Sequence, residues 1–327
     1  MRAVARAPGK VILLGEHAVV YGRPALAAAI ELTAEAYAEE RADGVVEVSC
    51  PDLGVSGAYV DGVYEPAEGG LEGEGVVKPV AASVEHILTA KSVRRGVKVE
   101  VRSHIPPSSG LGSSAAVSVA AAAAAAYAVG LDVEAGDVCE AAYAGERVVH
   151  GHPSGIDNTV STYGGVLLFR AGEFRRVDVK VSPTVVLGDT GVRRRTGDMV
   201  ARVRELRSRM TDVVEAVMDA VSAMVLRALD ALERGDLREV GELMTMNHSM
   251  LKALGVSSPE LDRLVEASME AGALGAKLTG AGGGGCMVAL VEPDFVEDVC
   301  DAIREAGGKP IPTSVRMRGY EVRRLPF

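Results

Sequence analysis

Two stretches of the chain concentrate ionisable residues among small and apolar ones. APGKVILLGEHAVVYG, residues 7–22, carries Lys10, Glu16 and His17, and GERVVHGHPSGIDN, residues 145–158, carries Glu146, His150, His152 and Asp157. A lysine and carboxylates of this kind can hold or move a proton, and the carboxylates can bind a hard cation. Each also has a plain structural use: Lys10 solvated, Glu146 paired with Arg147 on a helix face, Asp157 capping a turn beside Asn158. His150 and His152 are one residue apart, with Gly151 and Pro153 around them, which denies them the i, i+4 spacing of a helical zinc site. A protein-ligated transition metal is therefore not expected. Magnesium stays open, because it needs only one or two protein oxygens beside phosphate and water.

Glycine concentrates at two further places. In IPPSSGLGSSAA, residues 105–116, Gly110 and Gly112 permit a positive-φ turn, and Ser113 and Ser114 are placed to cap a following helix whose amides would attract phosphate. The alternative is a glycine loop with a serine cap and nothing bound. These residues also fit GxGxxA, with Asp132 or Glu134 about twenty residues on for a ribose. Against a dinucleotide site, the loop from Pro106 to Gly112 is too long for that motif's tight turn. The preceding VKVEVRS also alternates charge like an edge or half-exposed strand, not a buried parallel one. No GxxxxGK[ST] occurs. The second concentration, KLTGAGGGGC over 277–286, removes every side chain from a short arc of backbone, as close approach by a ligand or another segment requires; a flexible loop is the other reading.

These residues must be positioned by a chain of 327 residues, 48% hydrophobic and 24% charged, which is the composition of a globular protein of about two domains. A net charge of −10 argues against a broad surface for nucleic acid or anionic lipid. Cys50, Cys139, Cys286 and Cys300 form no CxxC pair and read as buried free thiols. The amino terminus lacks the pattern of a secretory signal, and the alanine-rich run 115–131 reads as a buried helix, not a membrane span. A cytoplasmic protein is expected.

Alternation and β-branched content predict strands at 3–4, 10–14, 33–40, 45–49 and 97–103, while 24–30 could start a helix or a strand. Helices follow at 115–131 and about 133–150, then a strand at 166–170; the acidic, glycine-rich 61–75 reads as a surface excursion. After a strand at 184–189, helical spacing runs through 196–234, 237–254 and 259–271, followed by strands at 276–279 and 286–292 and a helix at 295–306. The mixed order favours an α+β protein divided near Ser182.

Read in order, PGKVILLGEHAVVYGRPALA, PPSSGLGSSAA, GERVVHGHPSGIDNTVSTYGG and KLTGAGGGGC resemble the family of small-molecule kinases that includes galactokinase, homoserine kinase, mevalonate kinase and phosphomevalonate kinase. Lys10 and GEHAVVYG look more like the mevalonate branch than the galactose branch, where Arg and Asn would be expected. The resemblance implies an α/β N-terminal domain over 1–182, holding ATP and the catalytic groups. It also implies a ferredoxin-like C-terminal domain over 183–327, with the active site in the cleft between the two.

The implied reaction transfers the γ-phosphoryl group of ATP to the 5-hydroxyl of mevalonate. By the same resemblance Asp157 and Lys10 are the catalytic pair. ATP lies on Pro107, Ser108, Ser109, Gly110, Leu111, Gly112, Ser113 and Ser114, and on Gly280, Gly282 and Gly283. Ser114 and Glu146 are the Mg2+ ligands, and Glu16, His17 and Thr196 contact mevalonate. Many relatives have Gly-Ala where this chain has Ser108-Ser109, so a loop set slightly differently is expected. No nucleic acid or membrane partner is implied, and a homodimer is left open. Two alternatives stand beside this. Arg193–Arg195 could recruit an acceptor that already carries phosphate, such as phosphomevalonate, and a relative that binds nucleotide without chemistry would have no need of Lys10, Glu146 and Asp157 together.

Overall fold

The computed structural model describes residues 1–60, 63–107, 109–150, 153–170, 172–193 and 196–326, with the backbone alone for 149, 150 and 196. The chain opens with two long strands, β1 (Arg2–Leu14) and β2 (Ala25–Arg41), paired antiparallel. Each merges two stretches that read separately in the sequence. Pro8 and Gly9 fall at a register shift that lets β1 continue past them, and the alanine run 25–30 is strand because it pairs with both β1 and a later strand. Then come β3 (Val46–Cys50), a hairpin of β4 (Val55–Val60) and β5 (Val63–Glu68), the helix α1 (Glu74–Ala90) and β6 (Gly96–Ser103). The segment expected to be a surface excursion thus carries β5 and leads directly into α1.

Helices α2 (Ser113–Ala128), α3 (Ala135–His150) and α4 (Ile156–Tyr163) follow, then β7 (Val166–Arg170) and β8 (Glu173–Arg176). Helix α2 packs over β1, β2 and β6 and touches α1, α3 and α4. A helix enclosed by so many partners has no face to give water, so its apolar content carries no amphipathic period, and alanine on both α2 and β2 lets helix and sheet approach closely. Strand β6 is half-exposed as its alternation suggested, but it is not an edge: it lies between β2 and β3, parallel to β3 alone.

The second unit starts with β9 (Thr184–Asp189) and continues through α5 (Thr196–Arg209), α6 (Thr211–Arg234), α7 (Leu237–Ala253), α8 (Pro259–Glu270), β10 (Gly275–Leu278), β11 (Cys286–Val291), α9 (Val296–Glu305) and β12 (Lys309–Ser314). The single helical run expected over 196–234 is two helices that part at Met210. The four strands form one antiparallel sheet in the order β10-β11-β9-β12, with α7 and α8 against β10 and α9 against β9 and β12, the ferredoxin-like arrangement. The tail departs from a simple division at 182: β13 (Glu321–Leu325) returns to pair with β1 on the edge of the first sheet. Its sequence, EVRRL, is too polar to announce a strand, and it serves as one because β1 offers an unpaired edge. No helix among the described residues is long and apolar enough to cross a membrane.

Candidate active site

Lys10 sits within β1, in the stretch 7–14 where every residue is buried, and it is 4% exposed. Its ammonium lies 3.2 Å from Asp157 Oδ1 and donates to the Gly110 carbonyl at 2.9 Å, while its backbone amide donates to the Leu111 carbonyl at 2.9 Å. One lysine therefore fastens the glycine loop by its backbone and joins that loop to Asp157 by its side chain. Asp157 stands in the first turn of α4, whose start is set by Gly155 in the left-handed conformation.

Gly112, at φ 73°, is the N-cap of α2, and a Cβ there would lie 3.0 Å from Lys10 Cγ and 3.7 Å from Asp157 Oδ2. Only glycine lets the helix begin this close to the pair. The serines do not cap the helix as expected. It starts at Ser113, one residue past the capping position; Ser113 Oγ meets Ser103 Oγ at 3.1 Å, and among the described residues no side chain caps the helix. Those amides remain the free donors that a phosphate needs. Ser114 is exposed beside them. Ser109 is buried and donates from Oγ to the Pro106 carbonyl at 2.6 Å. The loop's left-handed positions fall on Gly110 and Gly112, so a serine at 109 meets no conformational penalty. Ser108 lies outside the described residues.

Glu146 reaches the same place from α3. At Gly145 a Cβ would lie 2.1 Å from Ser83 Oγ, so the missing side chain is what lets α3 press onto α1 and carry Glu146 inward. Glu146 is 5% exposed; burial and then the negative charge of Asp157 push its carboxyl up to about 8, with Lys10 opposing. A buried carboxyl beside a second carboxylate is a site that a cation relieves. Among the described residues no cluster of three or more His, Cys, Asp or Glu could hold a metal by itself. Glu146 with the Ser114 hydroxyl is the sparse oxygen set that suits Mg2+ carried on phosphate.

Glu16 and His17 are placed differently. Both are buried, in the turn after β1, and both face the second unit. Glu16 pairs through Oε1 with the ammonium of Lys277, and its Oε2 has no hydrogen-bond partner among the described residues. Burial pushes the Glu16 carboxyl up and the Lys277 ammonium down, against their mutual attraction. His17 holds φ 60°, and its Nε2 donates to the Ala281 carbonyl at 2.9 Å; burial lowers its pKa, which keeps it neutral. A Cβ at Gly280 would lie 3.5 Å from Gly110 Cα and one at Gly285 2.9 Å from the Ser109 carbonyl oxygen, so the two glycine clusters face each other. Thr196 begins α5, and its side chain, like Arg194 and Arg195, lies outside the described residues, as does His152. Arg193 is gripped by Asp189 through two hydrogen bonds of 2.6 and 2.7 Å.

Lys277 is a buried residue of this region that the sequence motifs do not single out. In KLTGA it marks the start of a glycine cluster, and no local pattern ties it to Glu16, 261 positions away.

The family models named GHMP kinases N terminal domain and GHMP kinases C terminal match residues 76–165 and 228–309. The mevalonate kinase of Pyrococcus horikoshii is 40% identical over 328 residues, covering 98% of this chain and 97% of its own, and that of Thermococcus sibiricus is 39% identical over 331 residues, covering 98% of each. The crystal structure of L. major mevalonate kinase in complex with R-mevalonate superposes with a TM-score of 0.81 at 29% identity over 95% of each chain. The chain belongs to the GHMP kinase family. It is an enzyme of that family's phosphotransferase class, and the two archaeal relatives just named, each matched over 98% of this chain, are mevalonate kinases.

Proposed function

We propose that this chain transfers the γ-phosphoryl group of ATP to the 5-hydroxyl of mevalonate, giving 5-phosphomevalonate and ADP. The observation that carries the chemistry is the Lys10–Asp157 pair in direct contact with the glycine loop at Gly110 and Gly112. The acceptor is supported by the archaeal relatives and by the L. major enzyme crystallised with R-mevalonate.

The loop 107–114 offers its amides to the ATP phosphates, and Gly280, Gly282 and Gly283 bring a second backbone close from the other side. Glu146 and Ser114 hold Mg2+, which when bound neutralises phosphate charge. Asp157 receives or orients the acceptor hydroxyl proton. In a loose phosphoryl-transfer transition state orientation counts for more than early proton removal. Lys10 orients Asp157 through their 3.2 Å contact and counters charge on the transferring group. Glu16, His17 and Thr196 form the acceptor side. The protein works in the cytoplasm without nucleic acid or membrane.

The second reading, an acceptor that already carries phosphate, loses one of its three arginines here, because both sides of the Arg193 guanidinium fork that reach Asp189 are occupied. ADP release with Mg2+ and ATP against mevalonate, 5-phosphomevalonate, galactose and homoserine decides the matter. Turnover confined to mevalonate is expected. Preference for 5-phosphomevalonate would move the arginine turn into the acceptor site, and silence on all four would favour a binding protein.

A further inference from the structure

Three side-chain contacts run from the segment leading into the C-terminal glycine cluster to the strand and turn that carry Lys10, Glu16 and His17. Lys277 takes Glu16; the Thr279 hydroxyl accepts from the Ile12 amide at 2.9 Å and donates to the Ile12 carbonyl at 3.3 Å; the Ala281 carbonyl takes His17. Lys277 lies in β10, Thr279 just beyond it and Ala281 in the turn that follows, where Gly280 has φ 83°; Lys277 and Thr279 act through their side chains and Ala281 through its backbone carbonyl, so one short segment makes all three contacts. Lys277 is wholly buried, and its ammonium also donates to the Leu278 carbonyl at 2.6 Å, which leaves it no access to solvent or substrate. The turn it meets is tightly set. Gly15 has φ 105° with Ala25 where a Cβ would be, and His17 is one of only two non-glycine residues at positive φ among those described.

An ammonium in this setting does no chemistry on a ligand, yet a buried charge is costly to keep unless its geometry is used. We propose that Lys277 is a positioning residue for the acceptor side of the cleft: by holding Glu16 it fixes the turn 15–17 against the C-terminal glycine segment, so that the acceptor-binding surface and the phosphate-facing glycines stay in register. The proposal rests on the assignment of Glu16 and His17 to the acceptor side. It assigns Lys277 no contact with ATP or acceptor.

The test is steady-state kinetics of the intact protein and of Lys277→Met, Glu16→Gln and the double variant, with mevalonate and with ATP varied in turn. Lys277→Met should raise KM for mevalonate about tenfold or more, while KM for ATP and kcat stay within about threefold. In the Glu16→Gln background the same substitution should change KM for mevalonate by less than about twofold, because Lys277 acts through Glu16. A role in stability alone would lower the active fraction and leave KM unmoved, and that result overturns the proposal, as does a full tenfold increment on top of Glu16→Gln. Should Lys277→Met fail to fold, the comparison of Glu16→Gln with the double variant, where both charges are gone, still decides. Absence of mevalonate turnover by the unmodified protein would overturn the functional assignment first, and is told apart because it is seen before any variant is made.

Discussion

The molecule holds two lysine–carboxylate pairs on the same opening strand and turn, and they differ in almost every physical respect. Lys10 and Asp157 stand 3.2 Å apart with Asp157 a third exposed, at the mouth of a glycine loop. Lys277 and Glu16 are sealed between the two units, at 0% and 1% side-chain exposure. A pair that must exchange a proton or face a phosphoryl group needs a path for the ligand. A pair that fixes a turn is best shut away, where low dielectric makes its geometry stringent. Similar groups are thus given opposite work by burial alone.

The contrast yields graded expectations. Lys10→Met should have a large effect, lowering kcat by about 10²–10³-fold as expected for loss of one preorganised electrostatic group, without a comparable loss of fold as read by circular dichroism. Lys277→Met should appear in stability as well as in KM for mevalonate. Leaving Glu16 buried and alone costs about 3–5 kcal/mol in denaturant unfolding, and Glu16→Gln/Lys277→Met should recover much of it because no buried charge is stranded. Equal destabilisation by the single and double variants would show that the pair is not coupled. Gly112→Ala is an intermediate case: an alanine in the left-handed region costs about 1–2 kcal/mol, and its Cβ would press on Lys10, so turnover should fall with stability. Gly22→Ala, also at positive φ but with open space around it, should show the stability loss alone.

A further expectation concerns pH. His248 lies behind the sealed pair, accepting from the Leu278 amide through Nδ1 at 3.3 Å, with Asp262 3.3 Å from Nε2. Burial, then the charge of Lys277, lowers its pKa from 6.5 to about 4. Its native state therefore refuses a proton that the unfolded chain accepts. This contribution to stability is complete above pH 6.5 and is lost as pH falls through 4, with a slope of at most about 1.4 kcal/mol per pH unit. His248→Gln should flatten that part of the acid limb in a series of melting curves; an unchanged limb would place the charge-sensitive group elsewhere.

Much of the cleft could be read from the chain because its requirements are local. Glycines at 110 and 112, a lysine in an apolar strand and carboxylates on either side of a short turn declare themselves within a few residues. The sealed pair is different in kind: Glu16 and Lys277 are 261 positions apart, and nothing near either residue specifies the other. The strands and helices with clear periods fell where expected, as at β7, β9, α7 and α8. The misses have tertiary causes. The alanine run of β2 becomes strand through its neighbours, β13 becomes strand because an edge awaits it, and α1 carries Pro79 inside a helix that its packing on α2 and α3 sustains. Serine capping of α2 was misplaced by one residue, which moved the capping position onto Gly112 and left the helix amides free.

The most direct test of the cleft pair as the reaction centre is Asp157→Asn, which keeps shape and hydrogen bonding and removes only the charge. With mevalonate and Mg2+-ATP, kcat should fall by about 10²–10⁴-fold while ATP affinity, measured by equilibrium titration, stays nearly unchanged. Turnover at the level of the unmodified protein would contradict the assignment of Asp157 to the chemistry.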